Sequence, residues 1–127
     1  MLKEIWKDIP EYIGLYQASN FGRIKSLGKY YTKNVGKYKS KTLTLYSDPK
    51  MICQHYDKDG YLNVTLVKDG KPKMFKSHRI IGITFLGIPK DNLVINHKNG
   101  IKDDNRVDNI EWVTIKENTI HAHKNGL

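Results

Sequence analysis

The chain has 127 residues, enough for one domain with a modest core and too few for two large independent cores. Its 22 Lys and Arg outnumber 13 Asp and Glu, and the net charge of +9 at pH 7 points to a polyanionic partner. No apolar run approaches the ~18 residues of a membrane span, the opening MLKEIWKDIP has no signal-peptide stretch, and the single Cys53 excludes an intramolecular disulfide and a Cys-rich zinc ribbon.

Residues 4–26, EIWKDIPEYIGLYQASNFGRIKS, read as a small β unit. Asn20-Phe21-Gly22 is a turn signal, after which Arg23-Ile24-Lys25 alternates basic, apolar, basic. Such a hairpin buries Ile24 and presents Arg23 and Lys25 on the other face. Trp6, Ile9 and Tyr12 are expected to form its local core. In residues 28–50, the Lys at 29, 33, 37, 39, 41 and 50 face the single Asp48, with Tyr30, Tyr31, Tyr38 and Tyr46 interleaved. One reading is a solvated, partly mobile segment. The favoured one is a DNA-following strand or arm, with Lys on phosphates and Tyr against sugars or base edges. Cys53 follows Met51-Ile52 and reads as a buried strand position. Residues 61–78 form a second hairpin, turning at Lys68-Asp69-Gly70-Lys71-Pro72. HRIIGITFLG, residues 78–87, predicts a short helix with Ile81 and Phe85 four apart on one face and Arg79 polar. Its β-branched residues and Gly82 leave a strand as the alternative.

Leu93-Val94-Ile95 predicts a short strand with Asn96-His97 at its end. Lys98-Asn99-Gly100 turns, residues 102–108 form a polar loop, and Asn109 precedes a second strand, Ile110-Glu111-Trp112-Val113. Thr114 and Glu117 stand at capping-box spacing, so a helix is expected from there. It carries Asn118, His121 and Ala122 and stops near Gly126. Folded back over the hairpin, this helix is expected to bury Trp112 and Ile115 and to turn Asn118 toward Asn96 and His97. That arrangement suits phosphodiester hydrolysis. A hard divalent cation offsets the developing charge and takes oxygen ligands, which Asn side chains supply. His97, with a reference pKa near ~6.5, is the natural base for the attacking water. Asn99 and Asn105 read as turn residues, and on its own so does Asn109.

HRIIGITF, VINHKNG, DNRVDNIEWVT and ENTIHAH, within residues 78–123, resemble an HNH endonuclease of the ββα-metal type. WKDIPEYIGLYQASNFGRIKS resembles the modular DNA-binding motif at the front of phage and intron HNH homing endonucleases. Together the two matches cover more than half the chain, in the family's order. The resemblance implies an α+β fold: N-terminal antiparallel β hairpins, a short helix, then the ββα-metal motif. Residues 1–50 would hold the DNA-binding motif and Lys/Tyr-rich segment, 51–90 the hairpin and connecting helix, and 91–127 the HNH motif.

The resemblance also implies roles. His97 would be the general base, Asn96 and Asn118 the metal ligands, and Asn109 the brace of the loop that holds His97. His121, three residues after Asn118, reads equally as an auxiliary to the site or as a surface residue, and His123 as a surface residue. Some members have Asp where Asn96 stands. Two neutral ligands imply weak metal binding alone and tighter binding with DNA. The implied cofactor is one Mg²⁺ or Mn²⁺ per site, with no structural zinc. The implied partner is double-stranded DNA, contacted by Arg23, Lys25, Lys37, Lys39, Lys41, Lys76 and Arg79. No membrane is involved, and the chain acts as a monomer, with a dimer left open. The expected place is the cytoplasm of a bacterial or phage-infected cell. Homing enzymes of this type often carry a helix-turn-helix behind the nuclease. None is legible up to Leu127, so specificity is expected from the N-terminal motif and the Lys-rich sheet, or from a partner. The function read is a metal-dependent DNA endonuclease that nicks or cuts duplex DNA. The alternative is a catalytically weak or inactive DNA-binding protein of the same fold. An RNA-binding or ribosome-associated protein fits the charge but leaves the Asn–His constellation unexplained.

Overall fold

The computed structural model describes residues 3–124, with side chains as far as His121; the predicted helix stop at Gly126 and the reading of His123 lie outside them. Period-two alternation builds the front of the chain. Strands β1 (Trp6–Asp8), β2 (Tyr16–Ser19) and β3 (Ile24–Ser26) pair antiparallel in chain order. Gly22, at φ +90°, makes the β2–β3 turn possible. Ala18 and Ile24 point inward and are buried. Arg23 and Lys25 point outward, with their cationic groups 5.7 and 4.3 Å from the centroid of the Trp6 ring. Trp6 is therefore not part of the core with Ile9 and Tyr12. It lies half-buried beneath two cations, where the face of an indole is attractive to positive charge.

The Lys/Tyr-rich stretch forms a two-stranded antiparallel ribbon, β4 (Lys29–Val35) and β5 (Lys41–Ser47). Both strands are mostly exposed, and Tyr30 packs against Tyr46 across them, with centroids 5.0 Å apart and the rings tilted at 47°. Its tip, residues 36–40, turns through Gly36 at φ +101° and Lys39 at φ +53°. Strand β6 (Lys50–Met51) then returns to pair with β3. After so short a strand, alternation turns Ile52 toward the core and Cys53 outward, so Cys53 is exposed rather than buried.

Strands β7 (His55–Tyr56), β8 (Leu62–Lys68) and β9 (Lys71–Lys76) form a second antiparallel sheet. Its hairpin turn is tighter than the sequence suggested. Lys68 pairs with Lys71, and only Asp69 and Gly70 lie between them, at φ +53° and +73°, the primed turn an Asp-Gly pair favours. Helix α1 (Ser77–Phe85) follows directly and buries Ile80 and Ile81. Gly82, which left a strand as an alternative, has a packing role instead. A Cβ there would lie 2.9 Å from both Ile95 Cδ1 and Trp112 Cζ2, so only glycine lets the helix seat this closely.

Strands β10 (Val94–His97) and β11 (Ile110–Val113) pair antiparallel, Val94 opposite Val113 and His97 opposite Ile110. Helix α2 (Ile115–Lys124) packs on β10. Its start is a reciprocal capping box: the Glu117 N–H donates to Thr114 Oγ1 and the Thr114 N–H to Glu117 Oε1, both at 3.1 Å. The expected burial of Trp112 and Ile115 under α2 does not occur. Trp112 is covered by α1, where its Nε1–H donates to the Gly87 carbonyl at 3.1 Å and Arg79 lies 5.2 Å from its ring. Ile115, in the first turn of α2, is 62% exposed.

One contiguous core runs through Ile9, Tyr12, Ala18 and Ile24 of the front sheet, Val64 and Leu66 of β8, Ile80 and Ile81 of α1, and Ile95 and Ile110 of the last hairpin. A seam joins front to back. The Val107 N–H donates to the Asn20 carbonyl at 3.0 Å, and Gly22 packs so closely on Asn105 that an added Cβ would lie 3.2 Å from its backbone. The fold is α+β, with antiparallel hairpins, a short helix and a terminal ββα unit. Among the described residues no helix is long and apolar enough to cross a membrane.

Candidate active site

The end of β10, the loop after it, the loop between β7 and β8 and helix α2 enclose a cleft of about 200 Å³ lined by Tyr61, Asn96, His97, Lys102, Asn118 and His121. Asn96 and His97 reach it from the end of β10, both under 7% exposed. Asn118 reaches it from the first turn of α2, fixed where its N–H donates to the Thr114 carbonyl at 3.0 Å. His121, one turn further on, donates from Nε2 to the Lys98 carbonyl at 3.1 Å, which ties α2 to the turn after β10.

Nε2 of His97 lies 2.7 Å from Oδ1 of Asn105, a bond in which the imidazole N–H donates to the carboxamide oxygen. That leaves Nδ1 as the ring nitrogen with a lone pair. Burial holds the His97 pKa below the ordinary imidazole value, while the bond to Asn105 and the nearby Asp104 and Asp103 act in the opposite direction. A neutral ring is the form that can accept a proton. His78 packs edge-on against His97 and Tyr61, with centroids 5.4 and 5.3 Å away. Burial, followed by repulsion from His97, Lys76 and Arg79, pushes its pKa down to about 4. Its Nδ1 is buried without a hydrogen-bond partner among the described residues.

The loop from 98 to 109 is held by its own carboxamides. Asn109 Oδ1 accepts from the Asn99 N–H at 3.1 Å, and its Nδ2 donates to Asn99 Oδ1 at 3.0 Å and to the Asp104 carbonyl at 2.8 Å. Asn99 Oδ1 also accepts from the Ile101 N–H at 2.9 Å, the local turn bond its residue type suggests. Asn105 departs from the turn reading. It is 3% exposed and its side chain serves His97 rather than its own backbone. Tyr61 and Lys102 also escaped the sequence reading as parts of the cleft. Asp57 accepts from the Tyr61 N–H at 3.0 Å, and Lys102 Nζ donates to the Asp59 carbonyl at 2.9 Å while lying 5.3 Å from the Tyr61 ring. No local pattern announces either one, because Tyr61 comes from the loop between β7 and β8, and Lys102, in the loop after β10, is held by its bond to that same loop.

The basic residues singled out by sequence are spread over the surface. Arg23 pairs with Glu4, its Nε 2.8 Å from Oε2, and Lys76 pairs with Asp57, so both already have carboxylate partners. Lys25 lies over Trp6, and Arg79 lies over Trp112 on the exposed side of α1. Lys37, Lys39 and Lys41 are exposed together at or beside the tip of the ribbon.

The cleft is polar but poor in anionic donors. Among the described residues no group of three or more His, Cys, Asp or Glu could hold a metal ion. The carboxamides of Asn96 and Asn118 offer neutral oxygen donors, which fit a hard cation such as Mg²⁺ whose charge is balanced chiefly by phosphate.

This architecture has known counterparts. The profile of the NUMOD4 motif matches residues 4–67, and that of the HNH endonuclease family matches residues 75–120. DNA endonuclease I-HmuI of Bacillus phage SP01 is 35% identical over 121 residues, covering 95% of this chain and 59% of the relative. The uncharacterized HNH endonuclease L247 of Acanthamoeba polyphaga mimivirus is 38% identical over 128 residues, covering 98% of this chain and 27% of its own length. A solved structure of DNA binding and cleavage by the HNH homing endonuclease I-HmuI superposes with a TM-score of 0.74 at 36% identity, over 96% of this chain and 59% of that one. This chain thus spans about 59% or less of the length of these relatives. With a NUMOD4 motif in front and the ββα unit behind it, the chain belongs to the HNH endonuclease family.

Proposed function

We propose that this chain is a DNA endonuclease that hydrolyses phosphodiester bonds in double-stranded DNA, with His97 as general base and one Mg²⁺ or Mn²⁺ at the cleft. The observation that carries this reading is the meeting of Asn96, His97 and Asn118 around one cleft, from strand and helix segments far apart in the chain. The carboxamide oxygens of Asn96 and Asn118 would hold the cation. When bound, it supplies positive charge to the phosphate and to the oxygen that leaves.

The chain's own residues do the rest. His97 Nδ1 takes a proton from water while Nε2–H stays on Asn105, so the ring neither turns nor changes tautomer as it becomes cationic. The hydroxide oxygen forms a bond to phosphorus, the bond to the bridging oxygen breaks, and the departing alkoxide takes a proton from solvent, leaving the cut strand with a phosphate end and an alcohol end. Asn109 keeps the loop in the shape that presents Asn105 to His97. Lys102 lends positive charge to the wall of the cleft. The ribbon, together with Lys25 and Arg79, would follow the backbone of the duplex, with contacts that position rather than specify. Because both amide ligands are neutral, the cation should bind weakly to the free protein and tightly once a phosphate is present.

The test is supercoiled plasmid in Mg²⁺ or Mn²⁺ buffer, wild type against His97→Ala. Relaxation that falls by about 100-fold or more in the variant is the expected result, the usual size of a lost general base. DNA binding without relaxation in either metal would overturn the assignment and leave a DNA-binding protein of the same fold.

A further inference from the structure

We infer that Glu111 is a positioning residue for the cation site, holding the Asn96 amide so that its oxygen, not its nitrogen, is presented to the cleft. The inference rests on the reading of Asn96 as a ligand. Asn96 and Glu111 are directly opposed across the β10–β11 pair. Asn96 Nδ2 lies 3.0 Å from Glu111 Oε1. A carboxylate can only accept at this bond, so the amide nitrogen must face it and the oxygen must face away. Among the described residues Oδ1 of Asn96 receives no hydrogen bond, although the residue is only 4% exposed and lines the cleft.

The need for such a partner follows from the residue type. An aspartate offers two equivalent oxygens and coordinates in either orientation. An asparagine turned through half a rotation offers an NH₂ group, which repels a cation. Unrestrained, the amide would spend part of its time in that unproductive state. Glu111 removes the ambiguity, and its own backbone is anchored between Ile110, which is buried in the core, and Trp112, which packs against α1. None of this was visible in the sequence, where Glu111 is one residue of a short strand.

The test measures metal uptake, not cleavage. Mn²⁺ is titrated into the full chain bound to duplex DNA in the His97→Ala background, with the free ion followed by its electron paramagnetic resonance signal. Glu111→Leu should weaken Mn²⁺ about 10-fold or more, the usual size of losing a partner that orients a metal ligand. Glu111→Gln can still accept from Asn96 Nδ2 and should retain most of the affinity. In an Asn96→Asp background there is no amide to orient, so adding Glu111→Leu should cost nothing and should relieve the repulsion between adjacent carboxylates. Equal Mn²⁺ affinity in Glu111→Leu and its parent would overturn the inference. So would equal losses in Glu111→Leu and Glu111→Gln, or the same loss from Glu111→Leu with and without Asn96→Asp, which would mean that the residue acts through charge or through the fold. If the parent takes up no Mn²⁺ even with DNA, it is the assignment of the cation site itself that fails.

Discussion

Replacing Gly82 by Ala would test how the fold carries the cleft. Two opposite effects compete. Within a helix, Ala is about 1 kcal/mol more favourable than Gly. Against that, the new methyl would lie 2.9 Å from Ile95 Cδ1, 2.9 Å from Trp112 Cζ2 and 3.3 Å from Trp112 Cε2. The tip of Ile95 could swing aside, but Ile95 is only 7% exposed and sits in the contiguous core. The indole has less room still, because its Nε1–H is tied to the Gly87 carbonyl and Arg79 lies over its ring. Overpacking of this kind costs about 1–3 kcal/mol, so the balance should be a loss of about 1 kcal/mol. Urea denaturation would read this as a lower midpoint at an unchanged slope. Ile95 precedes Asn96 and Trp112 follows Glu111, so a displaced pair would shift the cleft as well. Plasmid relaxation should therefore fall by more than the fraction unfolded. A Gly82→Ala protein as stable and as active as wild type would refute the claim that this contact sets the seat of α1.

Three further outcomes are expected. Because folding lowers the His78 pKa to about 4, stability from its neutral form is fully present above the unfolded value near 6.5 and is lost as pH falls from there toward 4. Urea midpoints should show wild type losing about 2–3 kcal/mol relative to His78→Phe over that window, and parallel curves would refute it. Thr114→Ala removes the oxygen that accepts from Glu117 and should destabilise the chain by about 1 kcal/mol, read from the urea midpoint. Replacing Lys37, Lys39 and Lys41 by Ala should weaken duplex binding and flatten the dependence of log affinity on log salt by about 2.7 units, measured by fluorescence anisotropy, if all three meet phosphates. An unchanged slope would place the ribbon tip away from the backbone.

Local chemistry made much of this fold legible. Residues 68–72 announce a turn, which the structure closes over Asp69 and Gly70 alone, Thr114 and Glu117 announce a helix start, and Arg23-Ile24-Lys25 alternates as a half-buried strand must. The errors come where a third element decides burial. Ile115 and Trp112 both looked like core for α2, but α1 arrives first and takes the indole, leaving Ile115 in solvent. Cys53 follows two apolar residues, yet the strand ends at Met51 and alternation turns the thiol outward. At the cleft, Asn96, His97 and Asn118 stand out because they fall at the spacing of the HNH pattern. Asn105 and Glu111 do not, since an Asn in a polar loop and a Glu in a strand look ordinary until the partner eight or fifteen positions away is known.

The contact between Gly22 and Asn105 has a consequence for engineering. The turn of the front sheet presses on the side of the residue that orients His97, and Gln54 Nε2 donates to the Gly22 carbonyl at 3.1 Å from the other side. The NUMOD4 segment is therefore not a detachable cassette. A chimera that grafts a foreign front half onto this ββα unit must reproduce the glycine and its neighbours, or the transplanted half will disturb the bond between Asn105 and His97.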